Sequence, residues 1–265
     1  MPWLVSTPHD ANASRDRVTE LEQRIAALEL QVRRSDDAMR ARDEILAVVA
    51  HDLRNPLGTI VMGATALVQL GSAGDASGSR IRSVAERIER QATRMARQLG
   101  NLTDFAEIQA GRLAIERAPH APRDLVVAAS ELVGPATRER GIAIETQVAP
   151  ELPAIACDAD RIIQALANLC AIAGKVTPNG GQIELGARMG DAGRIEFFVR
   201  DHGPGIDHRD ALFEPIWRSE HPGYRGAGMG FSIARGIVDA HGGRIWAETA
   251  PAAGTAVYFS LASGD

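Results

Sequence analysis

The sequence predicts a multi-domain chain: an all-α antiparallel helical hairpin that continues an N-terminal coiled coil, followed by an α+β two-layer sandwich. Apolar residues repeat at heptad spacing from Val18 onward, which is typical of a coiled coil. A glycine- and serine-rich segment then separates two helical patterns, which indicates a hairpin. From Leu113 short β patterns alternate with helices, which indicates an α+β domain. The length of 265 residues suits about two domains.

The first helix carries the coiled-coil seam. Its apolar side chains alternate steps of three and four residues, the pattern that winds helices into a left-handed coiled coil. The members are Val18, Leu21, Ile25, Leu28 and Val32, and Met39, Leu46, Val49 and Leu53 rejoin the seam. We predict one long helix from Arg17 to about Gln69, with residues 1–16 as a flexible leader and 17–45 as a coiled-coil signalling helix. An isolated amphipathic helix on a globular core is the alternative.

A hairpin loop at 71–79 leads into a second helix. Apolar residues at helical spacing predict this helix from Ser79 to about Ala110, and Gly111 is its predicted C-cap. Two antiparallel helices cannot enclose a core alone. We therefore predict that two copies of the chain form a four-helix bundle, which makes the protein a homodimer with its dimerisation domain at 46–112.

The second domain is predicted over residues 118–263. Strands are predicted at 113–116, 142–148, 182–188, 194–200, 243–248 and 255–261, and helices at 122–139, 159–173 and 228–240. Several strands close together in sequence, mixed with helices, favour an α+β layer sandwich. Residues 118–123, which contain two prolines, are interpreted as the linker between the domains.

Composition argues against several partners. The formal charge of −5 gives no support for a nucleic-acid partner, because phosphate binding needs a concentrated basic surface. Cys157 and Cys170 have no metal-type spacing, so both are predicted to be core residues. No apolar run approaches the ~20 residues that a membrane span needs. Residues 1–16 lack a signal-peptide core, and a cytoplasmic location is therefore predicted.

The stretch HDLRNP at 51–56 combines groups that suit a reactive histidine. With Leu46 at heptad position a, His51 is at f, the position furthest from the seam, and is exposed. Asp52 can orient the imidazole or accept its proton. Asn55 lies one turn further along the same face, and Pro56 is expected to kink the helix and push Asn55 away from α geometry. A solvated surface histidine is the alternative.

HDLRNP resembles the H-box of sensor histidine kinases, in which a phospho-accepting histidine precedes an acidic residue, two further residues, Thr or Asn, and proline. The resemblance implies that His51 receives the phosphoryl group and that Asp52 is the general base that readies it. It also implies that Asn55 helps to place a water for dephosphorylation of a partner. That partner would be the receiver domain of a response regulator.

Four further stretches, in order, resemble the ATP-binding domain that these kinases share with a wider GHKL ATPase superfamily. They are the N-box helix at 158–181, the G1 box at 201–206, the F-box at 212–217 and the G2 box at 226–243. Together they cover essentially all of residues 119–262. The resemblance implies a sandwich of GHKL type that binds ATP and Mg²⁺.

The chemistry of these stretches suits a nucleotide. Asp201 at a strand end can accept a hydrogen bond from an adenine amino group, and Gly203 and Gly205 allow a tight turn beside the base. Three glycines precede a helix, whose free N–H groups and positive dipole end can face phosphates. They are Gly226, Gly228 and Gly230. Between the F-box and this helix, Arg218 lies in a predicted lid and can meet phosphate charge, with an ordinary surface arginine as the alternative.

One position of the N-box departs from the family pattern. Asn168, Ala173 and Lys175 are in register, but Ile172 stands where relatives have a second asparagine, commonly a Mg²⁺ ligand. A branched hydrocarbon cannot coordinate Mg²⁺, which leaves Asn168 as the candidate metal residue. Losing a ligand oxygen should cost at least the roughly 10–100-fold that is typical of a second-shell partner. We therefore expect weak but real nucleotide binding, with kinase activity reduced or absent.

Three functions remain open at this point. The first is an ATP-dependent protein-histidine kinase that serves a response regulator and takes its signal from an upstream sensor protein. The second is a degenerate relative that acts as a binding module, a phosphatase or a phosphotransfer partner, with His51 phosphorylated by a second kinase. The third is an ATPase of the chaperone or topoisomerase type, against which the H-box on a coiled-coil hairpin argues.

Overall fold

The computed structural model describes residues 24, 28, 53, 55–70, 78–206, 212–213, 228–250 and 254–263. The chain divides into two compact units, Met1–Ala50 and His51–Asp265. In the first unit Leu28, a predicted seam residue, is helical and exposed. The predicted leader at 1–16 and the rest of the coiled-coil segment at 17–45 lie outside the described residues. Everything below concerns the second unit.

Two helices form the hairpin: α1, described over 55–70, and α2 (Gly78–Gln109). They pack closely at Gly63, where an added Cβ would lie 2.7 Å from Cγ1 of Ile88. Helix α2 ends in a Schellman motif, in which Gly111 (φ 64°) and Arg112 donate their N–H groups to carbonyls of the last turn at 3.0 and 2.9 Å. The predicted C-cap at Gly111 is confirmed.

The start of α1 differs from the prediction. Asn55 and Pro56 are both helical, and Leu53 before them is helical too. The Asn55 carbonyl accepts a hydrogen bond from the Thr59 hydroxyl at 3.2 Å. The expected departure of Asn55 from α geometry is therefore wrong. Helical residues on both sides of the Asn55–Pro56 pair outweigh the steric preference that proline imposes on its predecessor.

The second part of this unit is a sandwich of one helical layer on one sheet. Its elements are β1 (Ala118–His120), α3 (Pro122–Arg138), β2 (Ala143–Val148), β3 (Ile155–Cys157), α4 (Ala159–Val176), β4 (Gln182–Met189), β5 (Arg194–Asp201), α5 (Gly228–Ala240), β6 (Arg244–Ala250) and β7 (Gly254–Ala262). The five-stranded sheet has the order β2-β4-β5-β7-β6, in which only β2 and β4 pair in parallel. Strands β1 and β3 form a separate antiparallel pair. The predicted α+β sandwich is confirmed.

The core lies between this sheet and helices α3, α4 and α5. Phe197 of β5 and Phe259 of β7 are fully buried and stack with ring centroids 4.9 Å apart. Cys157 and Cys170 are also fully buried, as predicted, and burial raises the pKa of their thiols to about 11 and about 12. No helix among the described residues is long and apolar enough to cross a bilayer.

Two local predictions in this region are wrong. Residues 113–116 form no strand, and the Glu116 N–H instead donates to the Asp158 carboxylate at 3.1 Å. Residues 118–123 are not an irregular linker, because Ala118–His120 is β1 and Pro122 begins α3. Strand β1 has three residues, which is too short to show an alternating pattern, and β3, with which it pairs, lies far along the chain.

The C-terminal end of α2 packs against α4 through a polar cluster that sequence reasoning did not identify. The Asp104 carboxylate forms an ion pair with Nη1 of Arg161 at 2.5 Å and accepts a second hydrogen bond from the Gln164 amide. Arg161 also donates to Oε1 of Gln164 at 3.1 Å. Each of these three side chains is thereby satisfied by the other two, which suits their partial burial.

An apolar contact lies beside this cluster. Ile108 of α2 packs directly on Gly236 of α5, where an added Cβ would lie 2.7 and 2.8 Å from Cδ1 and Cγ1 of Ile108. Phe105, one turn earlier on α2, is buried. The end of the hairpin and two helices of the sandwich therefore share one packed contact of mixed polar and apolar character.

Candidate functional site

Helix α4 is the floor of the predicted nucleotide site. Its five relevant side chains follow one another at steps of three or four residues and therefore share one side of the helix. They are Arg161, Gln164, Asn168, Ile172 and Lys175. Asp158 caps the helix, because its side chain accepts the Arg161 N–H at 3.2 Å. At the other end Arg140 donates to the carbonyl of Thr177 at 3.1 Å and to that of Gly174.

A histidine anchors the start of this helix to α5. The Asp158 N–H donates to Nε2 of His241 at 3.0 Å, and Nδ1 of His241 lies 2.7 Å from the Ile237 carbonyl. These contacts fit a neutral imidazole that carries its proton on Nδ1. Burial lowers the pKa of His241, which also favours the neutral form. The positions of α4 and α5 are thus tied together just outside the predicted site.

Asn168 presents an unsatisfied group at the middle of α4. Its amide nitrogen Nδ2 is buried and has no hydrogen-bond partner among the described residues. A buried donor left unpaired costs roughly 1–3 kcal/mol, so such groups call for an explanation in a folded protein. A ligand that offers an oxygen acceptor at this point would satisfy it. Asn168 therefore fits the predicted role of a nucleotide contact.

Ile172 lies one turn further along and is only 5% exposed. Its side chain packs on the first turn of α5, where an added Cβ on Gly230 would lie 2.9 Å from Cδ1 of Ile172. The position thus offers hydrocarbon and no oxygen. Mg²⁺ prefers carboxylate and carbonyl oxygens, so the residues present at this point of α4 do not fit a bound Mg²⁺.

Asp201 ends β5 and is 4% exposed. Its Oδ1 accepts hydrogen bonds from the Gly203 N–H at 2.8 Å and from the Thr255 N–H at 3.3 Å. Desolvation raises the pKa of this carboxyl group, and the two backbone hydrogen bonds oppose the rise. Both backbone donors bond to Oδ1, and the charge of the neighbouring His202 also opposes the rise in pKa. A buried carboxyl group held in this way suits a neutral donor such as an adenine amino group.

The loop after Asp201 lies against α4. A Cβ on Gly203 would come within 2.8 Å of Asp201 Oδ1 and 2.9 Å of Cγ2 of Val176, so only glycine permits this approach. Gly205 has a φ of 81°, which favours glycine. The hydroxyl of Thr249 accepts the Ile206 N–H at 2.7 Å. Thr249 and Thr255 support this loop and were not predicted.

Helix α5 begins at Gly228, so Gly228 and Gly230 lie in its first turn. The N–H groups of a first helical turn have no partner inside the helix and can meet an anion. Phe231, which follows, packs edge-to-face on Phe213 of the predicted F-box with centroids 5.9 Å apart. Lys175 is exposed in the last turn of α4.

The structure brings four predicted site residues together around α4: Asn168, Asp201, Gly203 and Gly230. An added Cβ on Gly230 would lie 2.9 Å from Ile172 and 3.9 Å from the Asn168 carbonyl, and one on Gly203 would lie 2.9 Å from Val176 at the end of the same helix. Asn55 is described on α1 and is exposed. Other predicted site residues lie outside the described part of the chain. They are His51, Asp52, Arg218 and Gly226.

Two protein-family models match the chain. Residues 41–111 match the His Kinase A (phospho-acceptor) domain. Residues 157–264 match the family described as histidine kinase-, DNA gyrase B- and HSP90-like ATPase. The first match contains the hairpin with HDLRNP, and the second contains α4, Asp201 and α5.

Curated relatives include adaptive-response sensory kinases SasA. The protein of that name from Synechococcus sp. strain CC9311 is 30% identical over 263 residues, which is 96% of this chain and 66% of the relative. Another, from Synechocystis sp. strain PCC 6803, is 28% identical over 225 residues, with 83% of this chain and 59% of the relative covered. The chain thus spans about three-fifths to two-thirds of the length of these relatives.

Solved structures of similar fold include full-length ShkA in complex with AMPPNP. That chain has a TM-score of 0.60 and 28% identity, and the match covers 83% of this chain and 46% of that one. Histidine kinase ThkA in complex with response regulator protein TrrA has a TM-score of 0.54 and 22% identity, with 83% of this chain and 61% of that one covered. At that identity the second likeness concerns the fold alone.

Proposed function

This chain belongs to the sensor histidine kinases with a His Kinase A domain and a histidine kinase-type ATPase domain, and we propose that it uses ATP to phosphorylate His51. The phosphoryl group then passes to an aspartate of a response regulator receiver domain. Sensor histidine kinases act in two-component signalling, and we propose this activity for the present chain.

The buried carboxyl group of Asp201 is the observation that carries this proposal. It is held by two backbone N–H groups at the end of β5, and its burial leaves it suited to a hydrogen-bonding base. Adenine is such a base, since its amino group donates and the glycine turn lets the backbone approach a ligand closely. The unsatisfied Nδ2 of Asn168 supports a ligand with oxygen acceptors on the same side of α4.

The phosphate end of the proposed cleft combines three kinds of donor. The first turn of α5, with Gly228 and Gly230, offers N–H groups and the positive end of the helix dipole. Lys175 supplies positive charge from the last turn of α4. We propose that Gly226 and Arg218 complete this set. Phosphoryl transfer depends mostly on positioning and charge stabilisation, which such donors provide.

On the hairpin, the proposed roles are those that the H-box resemblance implies. His51 attacks the γ-phosphorus of ATP, the bond from that phosphorus to the bridging oxygen breaks and ADP leaves, while Asp52 takes the imidazole proton. Asn55 positions a water when the receiver domain is dephosphorylated. Asn55 is exposed on α1, which suits a role toward a second protein. ThkA, a relative of similar fold, is known in complex with a response regulator protein, and we propose a partner of that kind here.

We propose that activity is reduced because Ile172 offers no oxygen to a metal ion. Asn168 remains as the single side-chain amide on this part of α4 that could offer an oxygen to a metal ion. Because position 172 supplies no second oxygen beside it, binding of the Mg²⁺ that accompanies ATP is weakened. Restoring an oxygen with Ile172→Asn should therefore raise the rate of autophosphorylation.

A homodimer is proposed from the hairpin surface. Several large apolar side chains of α1 and α2 are exposed in the single chain. They are Leu57, Val61, Val68, Ile81 and Leu99. A second hairpin would bury them in a four-helix bundle, the assembly expected because two antiparallel helices cannot enclose a core alone. We also propose that the coiled coil relays a signal from an upstream sensor protein.

The test uses the full chain, ATP labelled at the γ-phosphate, and Mg²⁺. We expect slow labelling that is lost at acid pH, stable at alkaline pH and absent in His51→Ala, because phosphohistidine has this stability. Ile172→Asn should label about tenfold faster or more. Label that survives in His51→Ala would contradict the assigned acceptor, and no label in either the wild-type chain or Ile172→Asn would contradict kinase activity.

The second candidate function is that of a degenerate kinase that serves as a binding module, phosphatase or phosphotransfer partner. Only Ile172 favours it, because this residue replaces a metal-binding asparagine of the family pattern. In that case a second kinase would phosphorylate His51. Adding an active histidine kinase to the assay separates the two functions. Label on His51 that appears only after this addition would support the second function over the first.

A further inference from the structure

The groups that face a phosphate in the proposed cleft are hydrogen-bond donors. Nδ2 of Asn168 is a buried amide donor without a partner among the described residues. The first turn of α5 presents N–H groups, and Lys175 brings a positive charge at the end of α4. Donors and positive charge interact directly with phosphate oxygens and need no cation between them.

Acceptors for a metal ion are scarce in the same place. Ile172 fills the position one turn after Asn168, and its side chain lies against Gly230, so this point between α4 and the first turn of α5 offers hydrocarbon and no side-chain oxygen. Over the described ranges, no group of three or more His, Cys, Asp or Glu side chains is arranged to hold a metal ion. Divalent cations such as Mg²⁺ are held by oxygen ligands, usually including carboxylates.

The contact between Ile172 and Gly230 also has a structural consequence. It packs α4 directly on the first turn of α5, the two elements that carry the phosphate donors. A hydrocarbon contact therefore holds this end of the cleft together within the chain itself. No bridging metal ion is needed to bring the two helices together.

We propose that this cleft binds an adenine nucleotide in its metal-free form, so that Mg²⁺ contributes little to affinity. The inference rests on the proposed nucleotide site and adds the form of the ligand. A bound Mg²⁺ cancels part of the phosphate charge, which weakens the attraction of the phosphates to donors and to Lys175. In this cleft the ion gains no ligand from position 172, because the Ile172 side chain has no oxygen. Free ADP and free ATP therefore bind at least as tightly as their magnesium complexes.

The test measures the dissociation constant of ADP for the full chain by calorimetry, once in Mg²⁺ and once in EDTA. For the wild-type chain we expect the two constants to agree within about threefold, or EDTA to give the tighter one. This comparison needs no variant. A dissociation constant that rises about tenfold or more in EDTA would overturn the proposal.

Two variants at position 172 sharpen the test. Ile172→Asn introduces an amide oxygen beside Asn168, and Mg²⁺ should then tighten ADP binding by about tenfold or more. Ile172→Leu keeps a hydrocarbon of the same size and should remain insensitive to Mg²⁺. If Ile172→Leu also becomes dependent on Mg²⁺, the packing at this position and not its chemistry governs the metal response, and the proposal fails.

Asp201→Asn separates this inference from the nucleotide site on which it rests. The change preserves shape but replaces the acceptor that the adenine amino group would use, so ADP should bind about tenfold more weakly in both buffers. Unchanged affinity in both buffers would contradict the proposed nucleotide site itself. Weaker binding in both buffers, together with loss of wild-type binding in EDTA, would retain the site and refute metal-free binding.

Discussion

Helix α4 carries polar side chains along one side, and its two halves differ in where their hydrogen-bond partners come from. In the first half, Arg161 and Gln164 are satisfied by Asp104 of the hairpin. In the second half, Nδ2 of Asn168 has no partner among the described residues, and Ile172 replaces a polar side chain by hydrocarbon. Yet all four side chains follow one another at helical spacing.

This difference separates structure from ligand binding on a single helix. A buried polar group that finds its partner within the chain contributes to stability. A buried polar group that lacks one lowers stability until a ligand arrives. Changes in the first half of α4 should therefore affect unfolding, and changes in the second half should affect nucleotide binding.

The largest effect is expected for Asp104→Ala. It leaves the Arg161 guanidinium and the Gln164 amide without their shared acceptor, and the side chains of Arg161 and Asp104 are only 26% and 12% exposed. Hydrogen bonds to charged groups contribute about 1.5–3 kcal/mol, so the free energy of unfolding should fall by about 2 kcal/mol. Denaturation by urea measures it.

Glu107→Ala is the matched control on the same helix. Its carboxylate lies 4.0 Å from Arg161 and is 41% exposed, so the loss should stay below about 0.5 kcal/mol. Nearly equal losses for the two alanine variants would mean that the Asp104 cluster is no stronger than a surface ion pair. The conclusion that the first half of α4 stabilises the fold through Asp104 would then be wrong.

A smaller effect is expected for Gly236→Ala. The new methyl group would press on Ile108. Overpacking of this kind costs about 1–3 kcal/mol, of which the higher helix propensity of alanine offsets up to about 1 kcal/mol, so a net loss of about 1 kcal/mol is expected. In an Ile108→Ala background the clash is gone, and alanine is preferred to glycine within a helix by up to about 1 kcal/mol. The same substitution should then stabilise the chain.

The prediction is that the effect of Gly236→Ala on the free energy of unfolding changes sign between the wild-type and the Ile108→Ala backgrounds. It requires four proteins: wild type, each single variant and the double variant, compared by urea denaturation. A destabilising effect of Gly236→Ala that persists without the Ile108 side chain would show that the hairpin does not press on α5 at this point.

The smallest effects on stability come from exchanging the two amides of α4 for alanine. Gln164→Ala should lower the free energy of unfolding by about 1 kcal/mol, because it removes a bond to the Asp104 carboxylate. Asn168→Ala should leave it unchanged or raise it, because removing a buried donor that bonds to no described residue offsets the packing lost with the side chain.

Nucleotide affinity should follow the opposite order. Asn168→Ala removes a donor to phosphate and should weaken ADP binding about tenfold, while Gln164→Ala should leave the dissociation constant nearly unchanged. Calorimetry on both variants measures this. Equal losses of affinity would place the two amides in one functional group and contradict the division of α4 into two halves.

Much of the architecture was predictable because its causes are local. Helical and strand periodicity located α2, α4, α5 and the five long strands within a few residues. Gly111 caps α2 through its left-handed backbone and its N–H group, and Asp158 caps α4 through its side chain, so each acts on the helix end beside it. The short strands β1 and β3 escaped prediction, since each pairs only with the other, about forty residues away in the chain.

The candidate site divides in the same way. Motif spacing predicted Asn168, Asp201, Gly203 and Gly230, and these four residues do meet around α4. Thr249 and Thr255 were not predicted, although both support the loop after Asp201. A threonine in a strand carries no local sign of its use, because its hydroxyl group acts only after distant segments have come together.

By itself, the sequence determined which residues share a side of α4, because helical spacing alone places them there. It also determined that position 172 has no oxygen, a property of the side chain that no fold can alter. Only the tertiary structure decided that Asp104 would satisfy Arg161 and Gln164, residues 57 and 60 positions away. The same packing decided that the amide nitrogen of Asn168 would be buried without such a partner, because solvent exclusion and long-range pairing arise only when separate helices pack.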